Sequence, residues 1–262
     1  MNHFFYNIAD PMKQFEVQKW FELPRFFGYD ISFTNAAGFM LLGVVLCIAL
    51  FGYAASRGKT VPNRLQSMGE IGYGFVADMI RGTAGEEGLR FFPFVFTLFF
   101  FILFANLIGM SPYAFTTTSH LVVTGVLALL VISIVIIFGL WKNGLKFFGL
   151  FAPSLGDMHI LGKMVIYAIL IPIEIISFIA RPLTLSLRLF ANMLAGHILL
   201  KLFAGFVVTG ITAGGIGLLV APLAFGMGVA LNALEFLVAG LQAYVFAILT
   251  CVYLNDALHP SH

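Results

Sequence analysis

The chain has 262 residues, of which 60% are hydrophobic and only 10% are charged, whereas soluble domains carry about 25% charged residues. This composition argues against a soluble enzyme, a nucleic-acid-binding protein and a disordered scaffold, because too few polar groups are present to coat a globule. The net charge of +2 gives no reason to expect a polyanionic partner, and we expect no nucleic acid.

Residues 1–35 form a polar and aromatic segment that we expect to lie outside the membrane or at its surface. Residues 1–30 contain four acidic and three basic side chains among scattered aromatics. A signal peptide instead has a basic region followed by an apolar one. We therefore expect no cleaved signal here.

Three uncharged runs are long enough to cross the hydrocarbon layer, which requires roughly 20 apolar residues. The first run covers 36–56 and ends before Arg57. The other two, 92–110 and 121–140, are joined by the short uncharged link 111–120. We expect these two runs to form a helical hairpin over 92–140.

Two polar connections indicate the topology. The segment 60–90 mixes seven charged side chains with glycines and is too polar to cross the bilayer, so we expect an interfacial helix followed by a loop. Five lysines and arginines lie in 57–90 and three in 141–163, but none in 111–120. Because positive loops remain on the cytoplasmic or matrix side, the N-terminus is expected outside and the C-terminus inside.

The last third of the chain is apolar but does not divide into ordinary spans. Residues 164–209 and 214–255 would each form a helix of about 60 to 70 Å, twice the thickness of the membrane. Either each half folds into a hairpin at its prolines and glycines, or each is one long, strongly tilted helix. We favour the second alternative. The predicted fold class is therefore an all-α polytopic membrane protein with about five membrane-embedded helices plus one interfacial helix, in a single membrane domain over 1–262.

Ionisable residues deep in these segments are costly and indicate function by default. Glu174, Arg181 and Arg188 are spaced by seven residues, which returns them to one helix face. On the final segment Glu235 and Gln242 share a face, since they are also seven residues apart. Two helices with one polar stripe each suggest a crevice that contains water.

Structural explanations compete with this functional one. Arg181 has a side chain long enough to extend to the membrane interface, and we favour that role for it. Arg188 has the alternative of a structural ion pair with Glu174 or Glu235. His197, taken alone, is typical of a hydrogen-bonded packing residue. Only the other polar residues in the last two apolar segments favour a role in proton transfer. Asn106 and His120 are interpreted as interface-level hydrogen-bonding groups without a function.

Several segments carry a family resemblance. The most specific are Leu187-Arg188-Leu-Phe-x-Asn192-Met and, further on, Leu241-Gln242-Ala-Tyr244-x-Phe246. Their order and separation closely resemble those in subunit a of the F-type ATP synthase family, and the resemblance spans the whole chain. The other matching segments are 11–17, 104–109, 172–177, 181–197 and 252–254.

The resemblance implies a proton-translocating stator subunit of the Fo sector, with two aqueous half-channels against a ring of c subunits. It implies that Arg188 is the essential stator arginine that couples proton flow to ring rotation and ATP synthesis. In some bacterial members the positions of the histidine and the acid are exchanged, whereas this chain has the arrangement that resembles mitochondrial and alphaproteobacterial members. The exchange makes sense if the two side chains face each other. The remaining channel-lining positions implied are Glu174, Asn192, His197, Glu235 and Gln242.

The resemblance also implies the partners and the location. They are the c-subunit ring with its essential carboxylate, peripheral-stalk b-type subunits, the other ATP synthase subunits and the lipid bilayer. The membrane would be an energy-transducing one, either bacterial or mitochondrial, and the transported ion a proton or sodium. We expect no cofactor, no metal and no catalytic site of the chain's own, because no glycine-rich phosphate loop precedes a Lys-Ser or Lys-Thr pair.

Two other classes of membrane protein are weaker alternatives. A secondary transporter would also place charges beside broken helices, but it predicts inverted repeats that this chain lacks. A haem-binding respiratory subunit needs paired axial histidines on facing helices, and His197 alone is deep in an apolar segment.

Overall fold

The computed structural model describes residues 16–21, 32–56, 62–111, 114–144, 147, 149, 160–215 and 217–258. Most of the predicted extramembrane segment 1–35 and of the connection 145–159 lies outside these ranges. The described residues form a two-stranded antiparallel sheet, six α-helices and two short 3₁₀ turns. The elements are β1 (Lys19–Phe21), β2 (Phe33–Thr34), α1 (Asn35–Ser56), α2 (Arg64–Gly88), a 3₁₀ turn (Leu89–Phe91), α3 (Phe92–Gly109), a 3₁₀ turn (Thr117–Ser119), α4 (Leu121–Asn143), α5 (Ile160–Ala213) and α6 (Gly217–Leu258).

Five helical stretches within the described residues are long and apolar enough to cross a membrane. This confirms the predicted class, an all-α polytopic membrane protein. The stretches are Asn35–Ser56, Arg64–Gly109, Leu121–Asn143, Ile166–Ala213 and Gly217–Leu258.

The polar segment 60–90 differs from the sequence expectation of a helix followed by a loop. Helix α2 continues to Gly88, and a 3₁₀ turn connects it directly to α3. Val76, Met79 and Ile80 are buried on one side of α2, and this burial stabilises the predicted helix. The only non-helical residue inside α2 is Gly85, whose φ of 66° is accessible to glycine at little cost.

The two apolar halves of the last third are single helices. Helix α5 has 54 residues and α6 has 42, which correspond to about 81 Å and about 63 Å at 1.5 Å per residue. Pro172 and Pro182 lie inside α5 and Pro222 lies inside α6, without dividing either helix into a hairpin. The alternative of two hairpins is therefore wrong.

The chain divides into two compact units, and the first comprises Met1–Gly52, Phe100–Leu121 and Leu189–Ala243. Its small sheet is attached to α1 through Asn35, whose Oδ1 accepts a hydrogen bond from the Gln18 N–H at 3.1 Å. Between α5 and α6 the chain reverses at Gly214 and Gly215, which have φ values of 64° and 56°. The buried residues of this first unit include Ile102, Ala105, Leu189, Met193 and Ala239.

The second unit comprises Tyr53–Phe99, Val122–Arg188 and Tyr244–His262. Aromatic pairs join its helices, among them Phe91 with Phe138, whose ring centroids lie 4.5 Å apart. At one end Lys142 Nζ forms an ion pair with a Glu87 carboxylate oxygen at 2.6 Å. Its buried apolar residues include Val76, Ile80, Val95, Val131, Phe246 and Leu254.

Candidate functional site

The first unit contains a buried pair formed by an imidazole and a carboxylate. His197 Nδ1 lies 2.6 Å from Glu235 Oε1, and the two residues are only 6% and 5% exposed. They belong to α5 and α6, so the contact joins residues that are far apart in the sequence. Gly196 makes room for the carboxylate, since a Cβ at this position would lie 2.8 Å from Glu235 Oε1. The structure thus brings together two of the sequence-predicted site residues.

His197 also contacts oxygen atoms on its other side. Nε2 lies 2.8 Å from the Gly109 carbonyl oxygen and 3.1 Å from Thr116 Oγ1, and the Thr116 hydroxyl donates to the same carbonyl at 3.1 Å. Nδ1 lies 3.1 Å from the Met193 carbonyl oxygen. Sequence reasoning missed Gly109 and Thr116 because neither is ionisable. The only signal was an unusual run of hydroxyl residues, 116–119, in an uncharged link.

Two amides form a second polar contact in the same unit. Asn192 Nδ2 donates to Gln242 Oε1 at 3.0 Å, so these two sequence-predicted residues are also brought together. Gln242 is 1% exposed, and its Nε2 has no hydrogen-bond partner among the residues that the structure describes. A buried amide with a free N–H group is costly, so this atom marks a position suited to a water molecule.

Asn106 is completely buried within the protein, and its Nδ2 donates to the Ala239 carbonyl oxygen at 3.1 Å. The expectation of an interface-level hydrogen-bonding group concerns its depth in the membrane and stays a prediction. Ala239 follows Glu235 by four residues and precedes Gln242 by three, so Asn106 packs on α6 between the levels of these two polar residues. Its Oδ1 lacks a hydrogen-bond partner within the described part of the chain.

A cavity of about 180 Å³ opens beside the buried carboxylate. Its wall includes Asn192 and Glu235, together with Gly196 and aliphatic residues of α5 and α6. This volume has room for several water molecules, and the Asn192 amide supplies a hydrogen-bonding partner for them. Asn232, which shares a helix face with Glu235, instead lines a separate groove of about 230 Å³ and is exposed.

Arg188 and Glu174 belong to the second unit. Arg188 is exposed, and among the described residues it forms no ion pair with Glu174, which is partly buried. The sequence left open a structural ion pair between Arg188 and Glu174. The described part of the second unit does not contain this ion pair. An exposed guanidinium on a membrane helix remains available to a group from another chain.

Arg181 has a different environment from the one expected. It does not simply extend to an interface but forms an ion pair with Asp256, with Nη1 2.9 Å from Oδ2. Its guanidinium also lies 5.3 Å from the centre of the Tyr253 ring, within the range of a cation–π contact. Sequence reasoning missed Asp256 because it lies just beyond the apolar segment. No group of three or more metal-binding side chains occurs among the residues described.

Comparisons with known proteins agree on one family. The sequence profile of the family described as "ATP synthase A chain" matches residues 37–255. A protein of Hyphomonas neptunium named "ATP synthase subunit a" is 72% identical over 250 residues, covering 95% of this chain and 96% of the relative. Proteins with the same name from Maricaulis maris and Azorhizobium caulinodans are 60% and 56% identical, each covering 97% of this chain and 99% of the relative.

Proposed function

The chain belongs to the ATP synthase A chain family and is an integral membrane subunit of that complex, and from this premise we propose that it is the stator through which protons reach and leave a rotating ring. In this proposal the chain forms two aqueous half-channels against a ring of c subunits. Protons bind a carboxylate on the ring through one half-channel and leave through the other after nearly a full turn. Proton flow is thereby coupled to rotation and to ATP synthesis.

The buried contact between His197 and Glu235 is the observation that supports this proposal most strongly. A carboxylate and an imidazole 2.6 Å apart can share one proton, either as an ion pair or as two neutral groups. Isolated burial of an ionised carboxylate would be very costly, whereas this arrangement keeps the pair free of net charge while the proton is present. We assign the pair to the half-channel that delivers protons to the ring.

The amides of Asn192 and Gln242 suit the same half-channel. Neither group titrates, but each can donate and accept hydrogen bonds, so together they can orient water without trapping a proton. The cavity beside Glu235 and Asn192 supports this role, because a proton passes between separated groups through water.

Arg188 suits the role of the fixed charge at the ring. A guanidinium stays protonated at any accessible pH, so it cannot carry protons itself. It attracts an ionised ring carboxylate and favours release of the proton from an arriving one. It also presents a positive barrier between the half-channels, which opposes a direct leak of protons.

Glu174 is assigned to the half-channel on the opposite side. It is fourteen residues from Arg188 on α5, which corresponds to about 21 Å along the helix axis. This distance separates the site of release from the ring contact by roughly two-thirds of the hydrocarbon thickness.

The remaining assignments rest on the family and on the sequence. The N-terminus would lie outside and the C-terminus on the cytoplasmic or matrix side, in accordance with the positive residues of the 57–90 and 141–163 connections. Peripheral-stalk b-type subunits would hold the chain still against the ring. The chain would carry no catalytic site, and nucleotide chemistry would belong to its partner subunits.

Proton flux in membrane vesicles that carry the assembled complex tests the proposal. ATP-driven pumping and passive flux are compared for the native chain, Arg188→Ala and the exposed control Arg64→Ala. We expect Arg188→Ala to abolish pumping and Arg64→Ala to leave it unchanged. Pumping at the native rate by Arg188→Ala would show that this arginine is not the coupling charge.

A further inference from the structure

The hydrogen-bond partners of His197 restrict where its ring hydrogens can be. Oxygen atoms of Gly109, Thr116, Met193 and Glu235 lie within 3.1 Å of the ring nitrogens. The two backbone carbonyls among them can only accept a hydrogen bond. The Met193 carbonyl already accepts the His197 N–H within α5, and it lies 3.1 Å from an Nδ1 that Glu235 also approaches. The Gly109 carbonyl lies only 2.8 Å from Nε2, so the requirement for hydrogen is stronger at Nε2, where two facing lone pairs would leave both groups unsatisfied.

This argument applies most directly to Nε2. The Gly109 carbonyl belongs to the last turn of α3, where carbonyls lack donors from their own helix, and it lies 2.8 Å from Nε2. Thr116 uses its own hydrogen to donate to that same carbonyl, so its oxygen faces Nε2 as an acceptor. Both neighbours therefore require a hydrogen atom on Nε2.

The position of Thr116 is itself held by short contacts. Ser119 Oγ donates to the Thr116 carbonyl at 2.6 Å, and the Ser119 N–H donates to the same oxygen at 3.2 Å. Gly109 permits the close approach, since a Cβ there would lie 2.8 Å from the Thr116 side chain. Thr116 is completely buried, so water does not compete for its hydroxyl. These contacts belong to a formed site rather than to a mobile surface loop.

We propose that Thr116, together with the Gly109 carbonyl, is a positioning residue that keeps hydrogen on Nε2 of His197 and confines the exchangeable proton to the bridge between Nδ1 and Glu235. This inference rests on the proposed proton path and goes beyond it. The imidazole does not relay protons from one ring nitrogen to the other. Protons reach and leave the pair on the side of Glu235, where the cavity lies.

The transfer within the pair is balanced without any further reactant. The Nδ1–H bond breaks as an O–H bond forms on Glu235, and the reverse step restores the imidazolium and the carboxylate. Nε2 keeps its hydrogen in both states. The Thr116 hydroxyl oxygen lies 3.1 Å from Nε2, so its loss would remove an acceptor and loosen the ring without removing a charge.

Magnetic resonance of the assembled complex tests the location of the hydrogen directly. The complex is labelled with ¹³C,¹⁵N-histidine, and the His197 signals are identified by their loss in His197→Gln. We expect the native His197 to carry hydrogen on Nε2 in every neutral population. A neutral population with hydrogen on Nδ1 alone would overturn the proposal, whatever the activity of the complex.

Proton pumping then tests whether the contact matters for transport. We expect Thr116→Val to lower ATP-driven pumping about fivefold, the effect of one ordinary hydrogen bond, and Thr116→Ser to restore it. The neighbouring Thr117 is also buried, so Thr117→Val serves as a control for the loss of a buried hydroxyl in the same turn. Native pumping by Thr116→Val, or an equal loss in Thr117→Val, would contradict a positioning role.

The two experiments separate the possible failures. If His197→Gln pumps at the native rate, the proposed path through His197 is wrong even where the spectra show hydrogen on Nε2. If His197→Gln is impaired but Thr116→Val is not, the path stands and the inference about Thr116 is wrong.

Discussion

A methyl group at position 196 would displace the buried carboxylate that contacts His197. In Gly196→Ala the added Cβ would lie 2.8 Å from Glu235 Oε1, 3.0 Å from Cδ and 3.3 Å from Cγ. Nonpolar contacts are comfortable at roughly 3.5 Å, so the carboxylate would have to move by about 0.7 Å. This displacement is large compared with the tolerance of the 2.6 Å contact between Oε1 and His197 Nδ1.

The expected effects on folding and on transport have different sizes. Alanine is favoured over glycine inside a helix by about 1 kcal/mol, and overpacking costs about 1–3 kcal/mol. The crowded atoms belong to a flexible side chain, so the overpacking cost should lie at the low end and nearly cancel the helix gain. A charge-assisted hydrogen bond is worth about 1.5–3 kcal/mol, so pumping should fall about tenfold or more.

The assay compares the thermal stability of the purified complex with ATP-driven pumping in vesicles. Gly82→Ala is the matched control, because it lies in helix α2 and its added Cβ would meet no atom within 4 Å. We expect Gly196→Ala to be about as stable as the native complex and Gly82→Ala to be slightly more stable, and only Gly196→Ala to pump poorly. Native pumping by Gly196→Ala would refute the claim that the position of the Glu235 carboxylate limits transport.

Three further changes probe other contacts. Asn106→Leu removes the donor to the Ala239 carbonyl and should lower pumping roughly fivefold in the vesicle assay, whereas an unchanged rate would show that this hydrogen bond does not affect transport. Arg181→Ala leaves the Asp256 carboxylate without its partner and should lower the thermal midpoint of the complex by the equivalent of about 1–3 kcal/mol, which Asp256→Asn should partly restore. Gly214→Ala places a side chain at a φ of 64° and should cost about 1–2 kcal/mol, seen as a lower yield of assembled complex, while a native yield would show that the turn adapts.

Much of the architecture was predictable because it depends on quantities that a sequence displays directly. The lengths of the apolar segments indicated that the last two helices would exceed the membrane thickness, and α5 and α6 are indeed continuous. The glycines between them marked the reversal at Gly214 and Gly215. By contrast, the continuation of α2 to Gly88 depends on burial by neighbouring helices, which the charges of the segment do not reveal.

The candidate site was predictable only in its ionisable and amide members. Glu235, Gln242, Asn192 and His197 were conspicuous because polar residues are expensive inside an apolar segment. Asn106 and Thr116 were not, since a hydroxyl or an amide near a hairpin link is equally typical of an interface. Asn106 and Thr116 contact residues 133 and 81 positions away, and local patterns cannot predict such contacts.

Neutral groups contact the His197–Glu235 pair, and a charged group in their place would bias the protonation of the pair. A buried cation beside His197 would stabilise the Glu235 carboxylate after its proton had left, and the site would then bind the next proton weakly. A buried anion would have the opposite effect and hold the proton too firmly. Carbonyl, hydroxyl and amide groups carry no net charge, so they perturb the pair less than an ion at the same distance would. The contacts of His197 with Gly109, Thr116 and Met193 are all of this neutral kind, so they hold the imidazole in place without adding a charge beside the proposed proton path.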